Sequence, residues 1–256
     1  MTEKSAPAAA ARRFSREDWI ASARKVLLES GVDDVKVDRL ARKMKVTRGS
    51  FYWHFQHHKD LLDALLCDWE ARNYFEIAQV RARWARTAPD LGEVVIIWLS
   101  EDPSFPAFDT AIRAWGRKSR PVSDTVGRID EAWVSLLSEV FLKSGYDPTQ
   151  SLVRARVTYF HQMGYYALSM KEETAERFRL APYYYEVLTG HPPSDELRAT
   201  LNRLEQAELR EKARRPRGGA RAKAASATSA EAADAAPKPA KPVRSKPKRA
   251  GAEADV

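Results

Sequence analysis

Arg48, Gly49, Ser50, Trp53 and His54 put three hydrogen-bonding side chains, one position without a side chain and one large ring into seven residues. That set suits the major groove of duplex DNA, whose base edges present donors, acceptors and thymine methyl groups. Arg48 can donate to a guanine edge, and Ser50 and His54 can form hydrogen bonds with bases. Gly49 permits close backbone approach, and Trp53 can pack on a thymine methyl or a sugar edge. Phe51 and Phe55 are four apart, so they share one side of a helix and can anchor it. Successive helical side chains turn by about 100°, so the bulky run Tyr52-Trp53-His54-Phe55 cannot all face inward. An exposed Trp on so short a helix has no stability benefit, which favours an interface.

The spacing predicts a first helix capped by Ser15, with Asp18 three residues on, and stopped by Gly31. A second helix is predicted over 37–44, with Val37, Leu40, Ala41 and Met44 on one face. A third is predicted over 48–54 with Thr47 as its cap, and a fourth starts near His58 with Leu61, Leu62, Leu65, Leu66 and Trp69 as its apolar stripe. Backbone contacts should surround the 48–54 helix. Candidates for phosphate are Lys36, the free N–H groups near Val37, Thr47, the Tyr52 hydroxyl, His58 and Lys59. Arg12, Arg13 and Arg16 can enter a neighbouring minor groove or hold the backbone as an arm.

Composition narrows the remaining possibilities. The chain has 256 residues, 44% of them hydrophobic, enough for a real core. Its formal charge of +8 is unevenly placed: residues 1–60 carry a balance of +5, residues 61–211 of −5 and residues 212–256 of +8. A basic front, an acidic middle and a basic tail fit a DNA-binding end joined to a body that need not touch DNA. Cys67 is the single cysteine, which excludes an internal disulfide and a cysteine metal cage and suits a reducing cytoplasm. His57 and His58 lack a third and fourth ligand, so no metal is expected. No apolar run reaches membrane-spanning length, and no secretory signal follows the basic start. No phosphate loop, nucleotide-binding glycine pattern or zinc protease motif appears, so no cofactor and no enzymatic activity are expected.

The expected organisation is all-α. A disordered arm over 1–14 precedes a helix-turn-helix domain over 15–60, a helical dimerisation and effector domain over 61–213, and a disordered Ala/Pro/Lys/Arg-rich tail over 214–256. In the body, helices are expected near 90–100, around Phe108 to Trp115, and over 121–143, 149–170, 172–189 and 194–213.

Gly31-Val32 through Leu61-Leu62, with Leu40-Ala41 and the run Val46-Thr47-Arg48-Gly49-Ser50-Phe51-Tyr52-Trp53-His54-Phe55, resembles the N-terminal domain of TetR-family transcriptional regulators. The resemblance covers roughly residues 16–65. It implies a homodimer on a palindromic operator and a small molecule in the C-terminal domain that alters the spacing of the two reader helices. It assigns base contacts to Arg48, Gly49, Ser50, Trp53 and His54, and a phosphate contact to Tyr52. Two departures stand out: His58 occupies a position where the family usually has Lys or Arg, and Val37 one where many relatives have Thr.

In the same reading, the last two strong helices are the dimer candidates, with Phe160, Met163, Tyr184 and Leu188. Trp98, Phe105, Phe108, Trp115, Trp133, Tyr159 and Tyr165 are candidates for the lining of an apolar effector pocket, with plain core as the competing reading. The basic tail is expected to add salt-sensitive, sequence-independent attraction to DNA. An architectural DNA-binding protein is the alternative; it would lack a preference of about 10³-fold for one site.

Overall fold

The computed structural model describes residues 14–170 and 172–214. The expectations for Arg12 and Arg13, for the arm and for the basic tail lie outside those residues, Phe14 and Arg214 apart. Among the described residues the chain is all-helical: α1 (Arg16–Ser30), α2 (Val37–Met44), α3 (Arg48–Phe51), α4 (His58–Trp84), α5 (Leu91–Leu99), α6 (Phe105–Gly116), α7 (Arg120–Lys143), α8 (Pro148–Ala167), α9 (Thr174–Thr189) and α10 (Asp195–Arg214).

Local chemistry sets the first boundaries. The Asp18 amide donates to Ser15 Oγ at 3.2 Å and the Ser15 amide to the Asp18 carboxylate at 2.8 Å, a reciprocal cap that starts α1. Gly31 ends it at φ +82°, a backbone conformation that L side chains rarely adopt, with its N–H on Leu27 O at 2.9 Å. One 3₁₀ turn, Val32–Asp34, which the sequence pattern does not announce, then leads into α2. Lys45 adopts a left-handed conformation at φ 58° to close α2, and the Val46 amide bonds back to Ala41 O at 3.0 Å, making the sharp turn toward α3.

One hydrophobic core runs from Trp19 in α1 to Tyr166 in α8. The long α4 joins its parts: Leu61 and Leu65 are buried near its start, and Ile77, Val80 and Trp84 toward its end. α1 also packs on α6. The Arg24 guanidinium lies 4.2 Å from the Phe108 ring centroid and donates to Ser104 Oγ at 3.3 Å. α7 packs along α8, and a smaller cluster of Phe178, Ala181, Leu197 and Leu201 joins α9 to α10. At Gly92 in α5 a Cβ would sit 2.5 Å from Leu197 Cδ2, so this glycine lets α10 close against α5.

Candidate nucleic-acid interface

Phe51 fixes the inner side of the short third helix. It is fully buried, meets Trp19 edge-on at 5.3 Å and stacks on Phe55 at 5.2 Å. The opposite side is open. Trp53 is 87% exposed and Tyr52 52%. Arg48 and Gly49 are exposed, and Ser50 and His54 half-buried. Thr47, Gly49, Ser50, Trp53 and His54 line one concave surface, so four of the five expected base-reading residues come together there. Phe14 lines the same surface. The sequence reading passed it over; its position immediately before the Ser15 cap, where an apolar residue often fixes the approach to a helix, was the available signal.

The helix is shorter than the 48–54 expected. After Phe51 the coil tightens: the Tyr52 amide bonds to Gly49 O at 3.2 Å and the His54 amide to Phe51 O at 3.0 Å, three-residue spacings, before Phe55 closes on Phe51 O at 3.1 Å. Trp53 therefore stands on a turn instead of on the α-helix itself. Thr47 holds the cap position without a side-chain capping bond; its carbonyl accepts from the Ser50 amide at 3.1 Å. Its hydroxyl is not committed to the helix start. A Cβ at Gly49 would meet only Thr47 Oγ1, at 3.8 Å, so nothing within the described chain requires glycine there.

The polar groups around this surface hold one another. Arg48 Nε lies 3.5 Å from Asp38 Oδ1, and its Nη2 donates to the Tyr52 hydroxyl at 3.4 Å. Lys59 pairs with Asp63 at 2.5 Å, which raises the Lys59 pKa. Lys43 pairs with Glu29 at 2.6 Å. Lys36 sits at the start of α2 without a side-chain cap, and Val37 is buried behind it, so the first amides of α2 have no helical acceptor. The Arg16 guanidinium rests 5.0 Å from the Phe55 ring centroid, on the first turn of α1.

Residues 20–65 match the family model described as bacterial regulatory proteins, tetR family. This N-terminal domain is similar to the domain that the family model describes. Two curated relatives illustrate the likeness. The HTH-type transcriptional regulator TtgW of Pseudomonas putida is 41% identical over 58 residues, 23% of this chain and 43% of that protein. The class G tetracycline repressor protein of Vibrio anguillarum is 32% identical over 96 residues, 38% of this chain and 40% of that one. The chain thus spans less than half the length of these relatives. A crystal structure of a transcriptional regulator from a Rhodococcus species covers 76% of this chain and 97% of its own, at 17% identity and a TM-score of 0.49.

Within this domain, the two departures have structural consequences. Val37 is buried, so any contact at that point comes from backbone amides. His58 Nε2 lies 2.5 Å from Val35 O, so this ring nitrogen holds the 3₁₀ turn. Asp60 accepts from the Gln56 and His57 amides at 3.0 and 2.9 Å and starts α4. Among the described residues no group of three His, Cys, Asp or Glu can hold a metal ion, and no helix is long and apolar enough to cross a membrane.

In the body, the candidate pocket residues separate. Trp98 and Tyr165 line a cleft bounded by α5, α8 and α9. Phe105, Phe108, Trp133 and Tyr159 are buried in the core and Trp115 packs against it; none of these five lines the cleft. Two of them satisfy buried polar groups: the Tyr159 hydroxyl donates to Asp130 at 2.7 Å and Trp133 Nε1 to Asn73 at 3.0 Å. Of the dimer candidates, Tyr184 and Leu188 also line the cleft, Met163 packs on the core and Phe160 is 61% exposed. The exposed apolar faces of α8 and α9 carry further residues not singled out from sequence: Val153, Val157, Tyr183 and Val187, exposed by 53%, 54%, 64% and 78%.

Proposed function

We propose that the chain is a sequence-specific DNA-binding transcriptional regulator that reads a palindromic operator as a homodimer. One observation carries this reading: Trp53 is 87% exposed while Phe51, two residues earlier, is completely buried. The first has no role in the core and the second fixes how the first is presented. Arg48, Gly49, Ser50 and His54 complete the base-reading face. Lys36, the amides at Val37, Thr47, Tyr52, Lys59 and the second ring nitrogen of His58 surround it for phosphates, with Arg16 toward the arm. Repression is the sense favoured, in keeping with the name of the tetracycline repressor relative.

The partner copy is proposed to pack on α8 and α9. Val153, Val157 and Phe160 recur at helical spacing on α8, and Tyr183 and Val187 do so on α9, all exposed. Apolar residues exposed in register along two neighbouring helices are what an interface requires. A small, largely apolar effector bound in the body is proposed to modulate DNA affinity. The target implies residence in the cytoplasm, at the nucleoid, and no catalytic step.

Selection of bound sites from random duplex DNA by the full chain tests the reading. The expected product is an inverted repeat whose half-sites lie about 34–36 Å apart, or a multiple of that. Loss of the preference in Trp53→Ala and His54→Ala, with folding retained, is expected. Equal recovery of all sequences would instead identify an architectural protein.

A further inference from the structure

Gly49 stands in α3 without a reason internal to the chain. Glycine weakens a helix relative to alanine, because it has more backbone freedom to lose. A Cβ there would meet only Thr47 Oγ1, at an ordinary 3.8 Å, and the backbone lies outside the left-handed region. The residue therefore keeps clearance for something beyond the chain. That clearance borders a hollow of about 610 Å³, open to solvent and lined by Phe14, Thr47, Gly49, Ser50, Trp53 and His54.

The two aromatic walls of the hollow come from different elements. Trp53 stands on the turn after α3 and is 87% exposed. Phe14 is half-buried and directly precedes the Ser15–Asp18 cap that starts α1. The buried contact of Trp19 with Phe51 ties α1 to α3, so the walls are set relative to one another before any duplex arrives. Hydrogen-bonding groups stand beside the rings: Ser50 and His54 are half-buried, and the Thr47 side chain makes no capping bond.

Among the base edges of the major groove, one group is apolar, the C5-methyl of thymine. We propose that the hollow seats that methyl, one thymine in each half-site, with Gly49 as the clearance and Phe14 and Trp53 as the walls. Phe14 is then a specificity-determining residue that lies outside the reader helix. Ser50 and His54 are left to bond the polar edge of the same base pair. A sugar edge against Trp53 would treat all bases alike and would leave the clearance at Gly49 without a purpose. The inference rests on the regulator reading for its duplex, and it names a base that reading leaves open.

The test uses the full chain and the site it selects from random duplex DNA. Each thymine is replaced in turn by deoxyuridine, which removes the methyl and keeps the base pair and its hydrogen-bonding edge. Fluorescence anisotropy reads the affinity. One thymine in each half-site should be sensitive, with a loss of about four-fold, the size of one methyl group returned to water, and about fifteen-fold when both half-sites are changed. At the same position 5-methylcytosine should bind about four-fold more tightly than cytosine. Gly49→Ala puts a Cβ where the methyl sits, and Phe14→Ala removes one wall. In each, the thymine-to-uracil ratio at that position should fall to about one, with the helical circular dichroism retained. If Phe14→Ala does not fold, Gly49→Ala and the unmodified chain still decide. A selected site with no methyl-sensitive thymine, or a sensitivity that either folded variant keeps, overturns the proposal and leaves the regulator reading standing. Failure to select any site overturns both.

Discussion

Asp38 on α2 holds Arg48 on α3 across the turn, 3.5 Å separating Oδ1 from Nε. Both side chains are more than 60% exposed, so water and salt weaken the pair and a guanine edge can replace it. The arginine is thereby oriented before any duplex arrives, by an anion that phosphates would repel. The same logic recurs at Lys59 with Asp63 and Lys43 with Glu29. In each, a cation beside the reader surface is partly neutralised by its own chain. In the proposed regulator, such a surface would bind arbitrary DNA weakly and reserve its tight contacts for a sequence that offers replacement partners.

Asp38→Asn should therefore strengthen binding to all duplexes, by roughly three-fold, and narrow the gap between operator and unrelated DNA. Fluorescence anisotropy with both duplexes at several salt concentrations measures this. Unchanged affinity for unrelated DNA would mean that the Asp38 charge is not felt at the interface.

Phe51→Ala and Trp53→Ala, two positions apart, should behave oppositely. Removing the buried ring leaves a cavity beside Trp19 and Phe55 and should cost about 3–5 kcal/mol of stability. Removing the exposed indole should change stability by no more than about 0.5 kcal/mol, while reducing discrimination for the selected site by about ten-fold or more. Denaturant titrations alongside binding curves separate the two effects.

The contrast also marks what the sequence made legible. The Ser15 cap, the Gly31 stop and the limits of α2 depend on neighbours a few residues away, and so could be read directly. The true length of α3 could not, because its last turn is set by Phe51, which packs on Trp19 from another helix and stacks on Phe55. The aromatic residues of the body show a different limit. Helical periodicity reports which side of a helix is apolar, and it cannot tell filled core from empty cleft. Phe105, Phe108, Trp133 and Tyr159 belong to the core, whereas Trp98 and Tyr165 border the cleft.

For the dimer, Val157→Glu combined with Val187→Glu is the direct challenge. Both side chains are more than half exposed, so the change should leave the fold intact in a single copy. Against a partner copy it would bury uncompensated carboxylates. Sedimentation velocity should show the unmodified chain at twice the mass of the variant, and operator binding should fall with dissociation. A dimer that survives both charges would place the interface elsewhere.

Glu101 offers a prediction about pH. Burial pushes its carboxyl up to about 8; the Tyr166 hydroxyl donates to it and opposes that rise, as does Arg72, whereas Glu76 and Asp109 add to it. Its other oxygen is buried without a hydrogen-bond partner among the described residues. In the unfolded chain a glutamate titrates near ~4.3. Between these values the folded state holds a proton that the unfolded state has lost. Stability from this group is therefore full at acid pH, falls as pH rises through that window, and levels off above about 8. Glu101→Gln should remove this decline, leaving the variant more stable than the unmodified chain at pH 9. Tyr166→Phe removes a donor that favours the ionised carboxylate, so it should extend the decline to higher pH. Thermal melts of the three proteins from pH 5 to pH 9 provide the comparison, and parallel curves for the unmodified chain and Glu101→Gln would show that Glu101 is already ionised at neutral pH.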